Sequence, residues 1–159
     1  MVTCSNIDSS RICDYVQYKS LCKATIEPLI RQSKEANLKD LAELALKVAS
    51  SNASAVMLHI NHLLDETTDT YVSQCLSECM EDYQDAMYQI EDSLGALDSR
   101  GYDDIKTWLT TAIDNIDSCE KEFNFHPLRI NILTTINRTF MQLCNNALVI
   151  TNLLAKTTK

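Results

Sequence analysis

The chain has 159 residues with 22 acids against 14 Lys and Arg, a formal net charge of −8, and only two Gly and two Pro. That charge argues against a nucleic-acid backbone as partner. So few turn residues argue against a β-rich or α/β fold and favour long helices with short connections.

Residues 1 to about 36 have scattered apolar positions interrupted by Pro28. They predict short helices folded as a hairpin over one end of the remaining domain. No apolar stretch follows Met1, so the chain is either intracellular or a secreted protein whose leader has been removed; the second reading is preferred here. No run of 18 apolar residues is present, so no membrane-spanning helix is expected.

Four long segments then carry apolar residues at steps of three and four, the period of a helix with one buried stripe. The first runs from about Asn37 to Leu64, with Leu38, Leu41, Ala45, Val48, Asn52, Ala55, His59 and Leu63 as its stripe. The second runs from about Thr70 to Leu97, through Val72, Cys79, Tyr83, Ala86, Ile90 and Leu94. The third spans about Tyr102 to Phe123 on Ile105, Leu109, Ala112, Ile116 and Cys119. The fourth follows Pro127 on Ile132, Ile136, Phe140, Leu143, Ala147, Ile150 and Leu154. Turns as short as Asp98-Ser99-Arg100-Gly101 force antiparallel neighbours. The expected architecture is all-α: a single domain over 1–159, with a hairpin at 1–36 and an up-down-up-down four-helix bundle at 37–159.

Seven cysteines favour an oxidising compartment. Cys79 and Cys119 each lie about twenty residues from the turn near Ser99, which sets both ~30 Å from it on adjacent antiparallel helices. Both sit on buried stripes, so a disulfide between them is the natural pairing. Cys13 and Cys22 are spaced to staple the N-terminal hairpin. Cys75 and Cys144 fall on the order of 20 Å apart along the axis, too far to bridge, and Cys4 could take only one of them. The sequons at Asn52 and Asn137 are compatible with secretion.

Charge is unevenly spread. Between Glu78 and Asp104 there are nine acids and one base, Arg100, while the remaining thirteen acids and thirteen bases balance. This segment is either a solvated helix face or a surface complementary to a basic partner. Metal binding is disfavoured: His59 and His62, or Cys75 and Cys79, could share a face, but no CxxC or HExxH is present. No cofactor is expected. Catalysis is also disfavoured, since there is no phosphate loop, no GxSxG elbow, and no activated thiolate to point to. Asp103 and Asp104 suit a helix start better than acid–base chemistry. Binding of a small apolar ligand and thiol-based redox activity are the other classes weighed.

The run Cys79-Met-Glu-Asp-Tyr-Gln-Asp-Ala86, the segment Thr107-Trp-Leu-Thr-Thr-Ala112 leading to Asp-Ser-Cys119-Glu, the segment Gln142-Leu-Cys-Asn-Asn-Ala-Leu148 and the Cys13-to-Cys22 spacing together resemble the plant invertase and pectin methylesterase inhibitors over nearly the whole chain. The resemblance implies a four-helix bundle with an N-terminal hairpin and disulfides Cys13–Cys22 and Cys79–Cys119. It implies a secreted cell-wall protein that blocks an enzyme's substrate cleft and is not itself an enzyme, monomeric with a dimer as the alternative. Pectin methylesterase is favoured as the partner over acid invertase, because no Pro-Lys-Phe is present and Arg100-Gly-Tyr-Asp-Asp-Ile precedes the third bundle helix. A detached pro-region of an esterase precursor shares the same pattern. Carried over by resemblance, the partner-binding residues are Glu81, Asp85 and Ser118. Tyr88 is added to them; it stands, like Lys121, where the family often has a further acid. Tyr83 is read as packing.

Overall fold

The computed structural model describes residues 8–32, 36–125 and 131–158. Cys4 and Pro127 lie outside them. A 3-10 helix, Ser9–Asp14, is followed by α1 (Lys19–Thr25), α2 (Glu27–Ile30), α3 (Leu38–Glu66), α4 (Thr70–Ala96), α5 (Tyr102–Asn124) and α6 (Thr134–Thr157). Each long helix packs against its chain neighbours and α3 against α6 closes the ring, an antiparallel four-helix bundle. Among the described residues no helix is long and apolar enough to cross a membrane.

The helix starts follow from their capping residues. Asn37 and Asp40 form a reciprocal capping box on α3, with N–H···O distances of 2.9 and 3.0 Å. Asp69 accepts from the main-chain N–H groups of Tyr71 and Val72 on α4. Before α5, Gly101 donates to the Ala96 carbonyl at 3.0 Å, and Arg100 takes a φ of 58°, the left-handed region where glycine is the usual occupant. A side chain at Gly101 would bring its Cβ to 3.2 Å of the Ala96 Cβ, a tight contact that Ala96 would have to yield to by a few tenths of an ångström.

The buried stripes of α4 and α5 follow the helical period through Cys79, Tyr83, Ala86 and Ile90, and through Ile105, Leu109, Ala112, Ile116, Cys119 and Phe123. That of α3 is rotated from expectation, whereas that of α6 follows it through Phe140, Leu143, Ala147, Ile150 and Leu154 and departs only at its start. On α3 the core residues are Leu41, Ala42, Ala45, Leu46, Ala49, Ala53, Val56 and Ile60, while Ala55 and His59 are exposed. Steps of four through Ala45, Ala49 and Ala53 put methyl groups at the helix contact, which lets the backbones approach closely. On α6 the core begins with Leu133 and Asn137; Ile132 is exposed and Ile136 half-buried.

Among the described residues two disulfides are present. Cys79–Cys119 holds α4 and α5 at a Cα–Cα distance of 4.7 Å, and Cys13–Cys22 ties the 3-10 helix to α1 at 5.5 Å. The hairpin is anchored to α6 near the middle of that helix. There the buried carboxamide of Asn146 accepts from the Tyr18 N–H and donates to the Tyr18 carbonyl, at 3.3 and 3.2 Å. This pair satisfies both main-chain groups at a point where α1 has no side-chain cap.

Candidate functional site

The Cys79–Cys119 bridge sets the geometry of the α4–α5 seam, because residues one turn away on either helix must then face each other. One turn before Cys79 lies Cys75, whose thiol points to the main-chain carbonyl of Glu122 at 3.6 Å; the Tyr71 hydroxyl donates to the same oxygen at 2.9 Å. Glu78 and Asp82 flank the bridge on α4 and are half-buried, as is Glu122 on α5. Hydrogen bonding to Glu78 raises the carboxyl of Glu122, with burial and the Glu78 charge adding in the same direction. Burial raises Asp82 to about 6, helped by the negative charges of Glu122, Asp85, Glu78 and Glu81. The seam therefore holds an acid that titrates between mildly acidic and neutral pH.

Around it, Glu81, Asp85 and Tyr88 are exposed at i, i+4 and i+7 of α4 and so share one face. Ser118 is exposed on α5 beside Cys119. Glu81 and Ser118 lie two residues and one residue from the disulfide, so they stand at about the same level of the bundle on adjacent helices. Tyr88 stands on the order of 10 Å further along α4, 62% exposed. Among the described residues neither Glu81 nor Asp85 pairs with a base, whereas Lys121 is engaged by Asp117 at 2.5 Å. That hydrogen bond raises the Lys121 ammonium above its ordinary value, so it stays charged throughout this range.

Asp82, Glu78 and Glu122 were not among the residues singled out in the sequence. Asp82 and Glu78 stand inside the acidic segment and Asp82 inside the motif run, but their half-burial against α5 appears only when the helices are packed. Tyr83 points the other way, fully buried, with its ring edge-on to Phe140 at a centroid distance of 5.2 Å.

The remaining candidates separate by position. His59 is exposed on α3, and His62 lies 3.3 Å from Glu66. Among the described residues no three His, Cys, Asp or Glu converge as a metal site. Cys75 and Cys144 are free and buried, and burial raises both thiols, which opposes thiolate chemistry. Asn137 is fully buried. Its amide donates to Glu120 Oε2 at 2.8 Å and its oxygen accepts from the Tyr83 hydroxyl at 2.9 Å. No glycan fits on that side chain in this fold, which removes one of the two sequons; Asn52 is half-buried on α3.

The family model for plant invertase/pectin methylesterase inhibitors matches residues 8–150. A pectinesterase inhibitor of Actinidia deliciosa is 28% identical over 148 residues, covering 91% of this chain and 78% of that protein. A putative invertase inhibitor of Platanus acerifolia is 24% identical over 123 residues, covering 77% of this chain and 69% of the other. In fold, the chain is similar to the crystal structure of a mutant form of a pectin methylesterase inhibitor from Arabidopsis, with a TM-score of 0.73 at 24% identity, covering 90% of this chain and 94% of that one.

Proposed function

The chain belongs to the plant invertase/pectin methylesterase inhibitor family, and from that premise we propose that it inhibits pectin methylesterase by laying the α4–α5 face across the enzyme's substrate cleft. The observation that carries this reading is the acidic face itself. Glu81 and Asp85 are exposed, carry no pairing base among the described residues, and flank a seam fixed by the Cys79–Cys119 bridge. Helix backbones already held together lose little freedom on association, so a stapled helix pair is a suitable wedge for a cleft. Ser118 adds a hydroxyl at the same level, and Tyr88 adds an exposed aromatic ring of the kind that anchors interfaces.

The same face makes binding depend on pH. Carboxylates set against the acids of an enzyme cleft repel when both are ionised and attract by hydrogen bonding when one is protonated. Asp82, raised to about 6, takes a proton as the medium becomes mildly acidic, and Glu122 is shifted in the same direction by its hydrogen bond with Glu78. Affinity is therefore strongest at mildly acidic pH and falls toward neutral. The proposed setting is the plant cell wall, reached by secretion, with one inhibitor domain acting as a monomer.

A second reading, inhibition of acid invertase, is favoured by the similarity to the Platanus acerifolia protein. The deciding experiment adds the oxidised chain, in parallel, to a plant pectin methylesterase and an acid invertase at mildly acidic pH. Loss of esterase activity alone supports the proposal. Loss of invertase activity alone transfers the function to the second reading, and no effect on either removes both.

A further inference from the structure

At the end of the bundle where the α4–α5 turn lies, a cleft of about 530 Å³ opens between the start of α5 and the end of α6. Its charge is opposite to that of the chain. Arg100, Lys106 and Lys156 line it, against one acid, Asp103. Arg100 is also the sole base in the acidic stretch from Glu78 to Asp104. Among the described residues Arg100 and Lys156 form no ion pair. Lys106 has only a 3.5 Å approach to Asp103, whose side chain is wholly exposed. Two unneutralised cations and a weakly paired third thus face one cavity in a protein of charge −8.

Three further features narrow the ligand. The volume lies in the ~300–1,000 Å³ range of small-molecule sites and is larger than one inorganic anion requires. Asn152, Thr158 and Tyr102 complete the lining, supplying an amide, a hydroxyl and an aromatic ring with its own hydroxyl. That set serves alternating hydroxyls and ring faces, while the guanidinium and ammonium groups serve carboxylates. Arg100 is moreover the one non-glycine residue with positive φ among the described residues. A side chain is kept where glycine would be at less cost, and such positions concentrate at sites of function.

We propose that this cleft binds a carboxylate-bearing sugar chain, specifically the de-esterified uronate chain left when methyl esters are removed from pectin. The choice of ligand rests on the function proposed above, because it is that enzyme's product. Asp85 precedes Arg100 by fifteen residues, which sets the cleft on the order of 20 Å from the acidic face. The chain can therefore hold the polymer and the enzyme at once. One charge per sugar ring suits a small basic cleft on an acidic protein better than a densely charged phosphate polymer does.

The test titrates the full oxidised chain with de-esterified oligogalacturonate at about pH 6, where the uronates are ionised. Binding is followed by calorimetry and by amide NMR shifts. A fully methyl-esterified oligomer and inorganic phosphate serve as comparison ligands. Saturable binding is expected, with shifts at Tyr102, Asn152 and Thr158, and about tenfold weaker binding of the esterified oligomer. Arg100→Gly and Lys156→Ser should each weaken the de-esterified oligomer about tenfold. Arg100→Gly places glycine in a left-handed position and so keeps the fold, which an unchanged or higher melting temperature verifies. Equal binding of both oligomers, unchanged binding by both variants, or full displacement by equimolar phosphate would each overturn the proposal. Esterase inhibition is measured on the same samples. Uronate binding without inhibition would sink the inhibitor reading alone, and inhibition without uronate binding would sink this one alone.

Discussion

The phenolic hydroxyl of Tyr83 donates to Oδ1 of Asn137 at 2.9 Å, joining α4 to α6 through the centre of the core. Asn137 passes the link on to Glu120 Oε2 on α5, and Glu120 Oε1 accepts from the Thr134 hydroxyl at 2.6 Å. Three helices are thereby locked in one register beside the Cys79–Cys119 bridge that sets the acidic face. A buried polar network of this kind costs little while complete and much when broken.

Breaking it at one end should be measurable. Tyr83→Phe leaves the Asn137 oxygen without its donor and should cost about 1 kcal/mol. Asn137→Ala also strands the Tyr83 hydroxyl and should cost about 2 kcal/mol or more. Urea midpoints at fixed pH give both values, and equal costs for the two variants would contradict the network.

The burial of Asn137 predicts the state of its sequon. Folded protein secreted from a eukaryotic host should carry no glycan at Asn137, as peptide mapping by mass spectrometry would show. Modification there in native, bundle-folded material would be incompatible with the packing described.

The two disulfides should differ in weight because they close loops of different length. The Cys79–Cys119 bridge spans 40 residues and the Cys13–Cys22 bridge spans nine. Chain entropy then assigns about 4 kcal/mol to the first and about 2.5 kcal/mol to the second. Replacing each pair by serine and comparing denaturant midpoints tests the order; a larger loss from Cys13→Ser with Cys22→Ser would reverse it.

Thiol reactivity should follow burial. In native protein Cys75 and Cys144 should resist iodoacetamide, since both are buried and burial holds both thiols above their ordinary range. Both should label once the chain is unfolded, and labelling of either under native conditions would show that the seam or the core opens readily.

The titration of Asp82 predicts how stability moves with pH. Its folded value of about 6 lies above the ordinary aspartate value of 3.8. Between the two, the folded chain binds a proton that the unfolded chain does not, so stability falls as pH rises through this window. Glu122 is raised as well and acts in the same direction. The urea midpoint should therefore be higher near pH 4.5 than near pH 7, and Asp82→Asn should reduce the difference chiefly by raising the neutral value. A wild-type midpoint that does not change across this range would refute the assignment.

Much of this protein is written in its order of residues. Scarce Gly and Pro, apolar steps of three and four and short turns specify four antiparallel helices, because helix period and chain length are local properties. The twenty-residue arms on either side of Ser99 bring Cys79 level with Cys119 for the same reason. Packing decided the rest. On α3 both Ala45-Val48-Asn52 and Ala45-Ala49-Ala53 keep helical spacing, and contact with neighbouring helices selects the second row. On α6 the core accepts Asn137 because Tyr83 and Glu120 satisfy it, a match between residues 54 and 17 positions apart. The acid that titrates near neutrality was hidden in the same way. Asp82 has the composition of any helix-surface aspartate until α5 removes water from one side and adds Glu122. Desolvation and charge proximity are properties of the packed bundle, and no local run of residues encodes them.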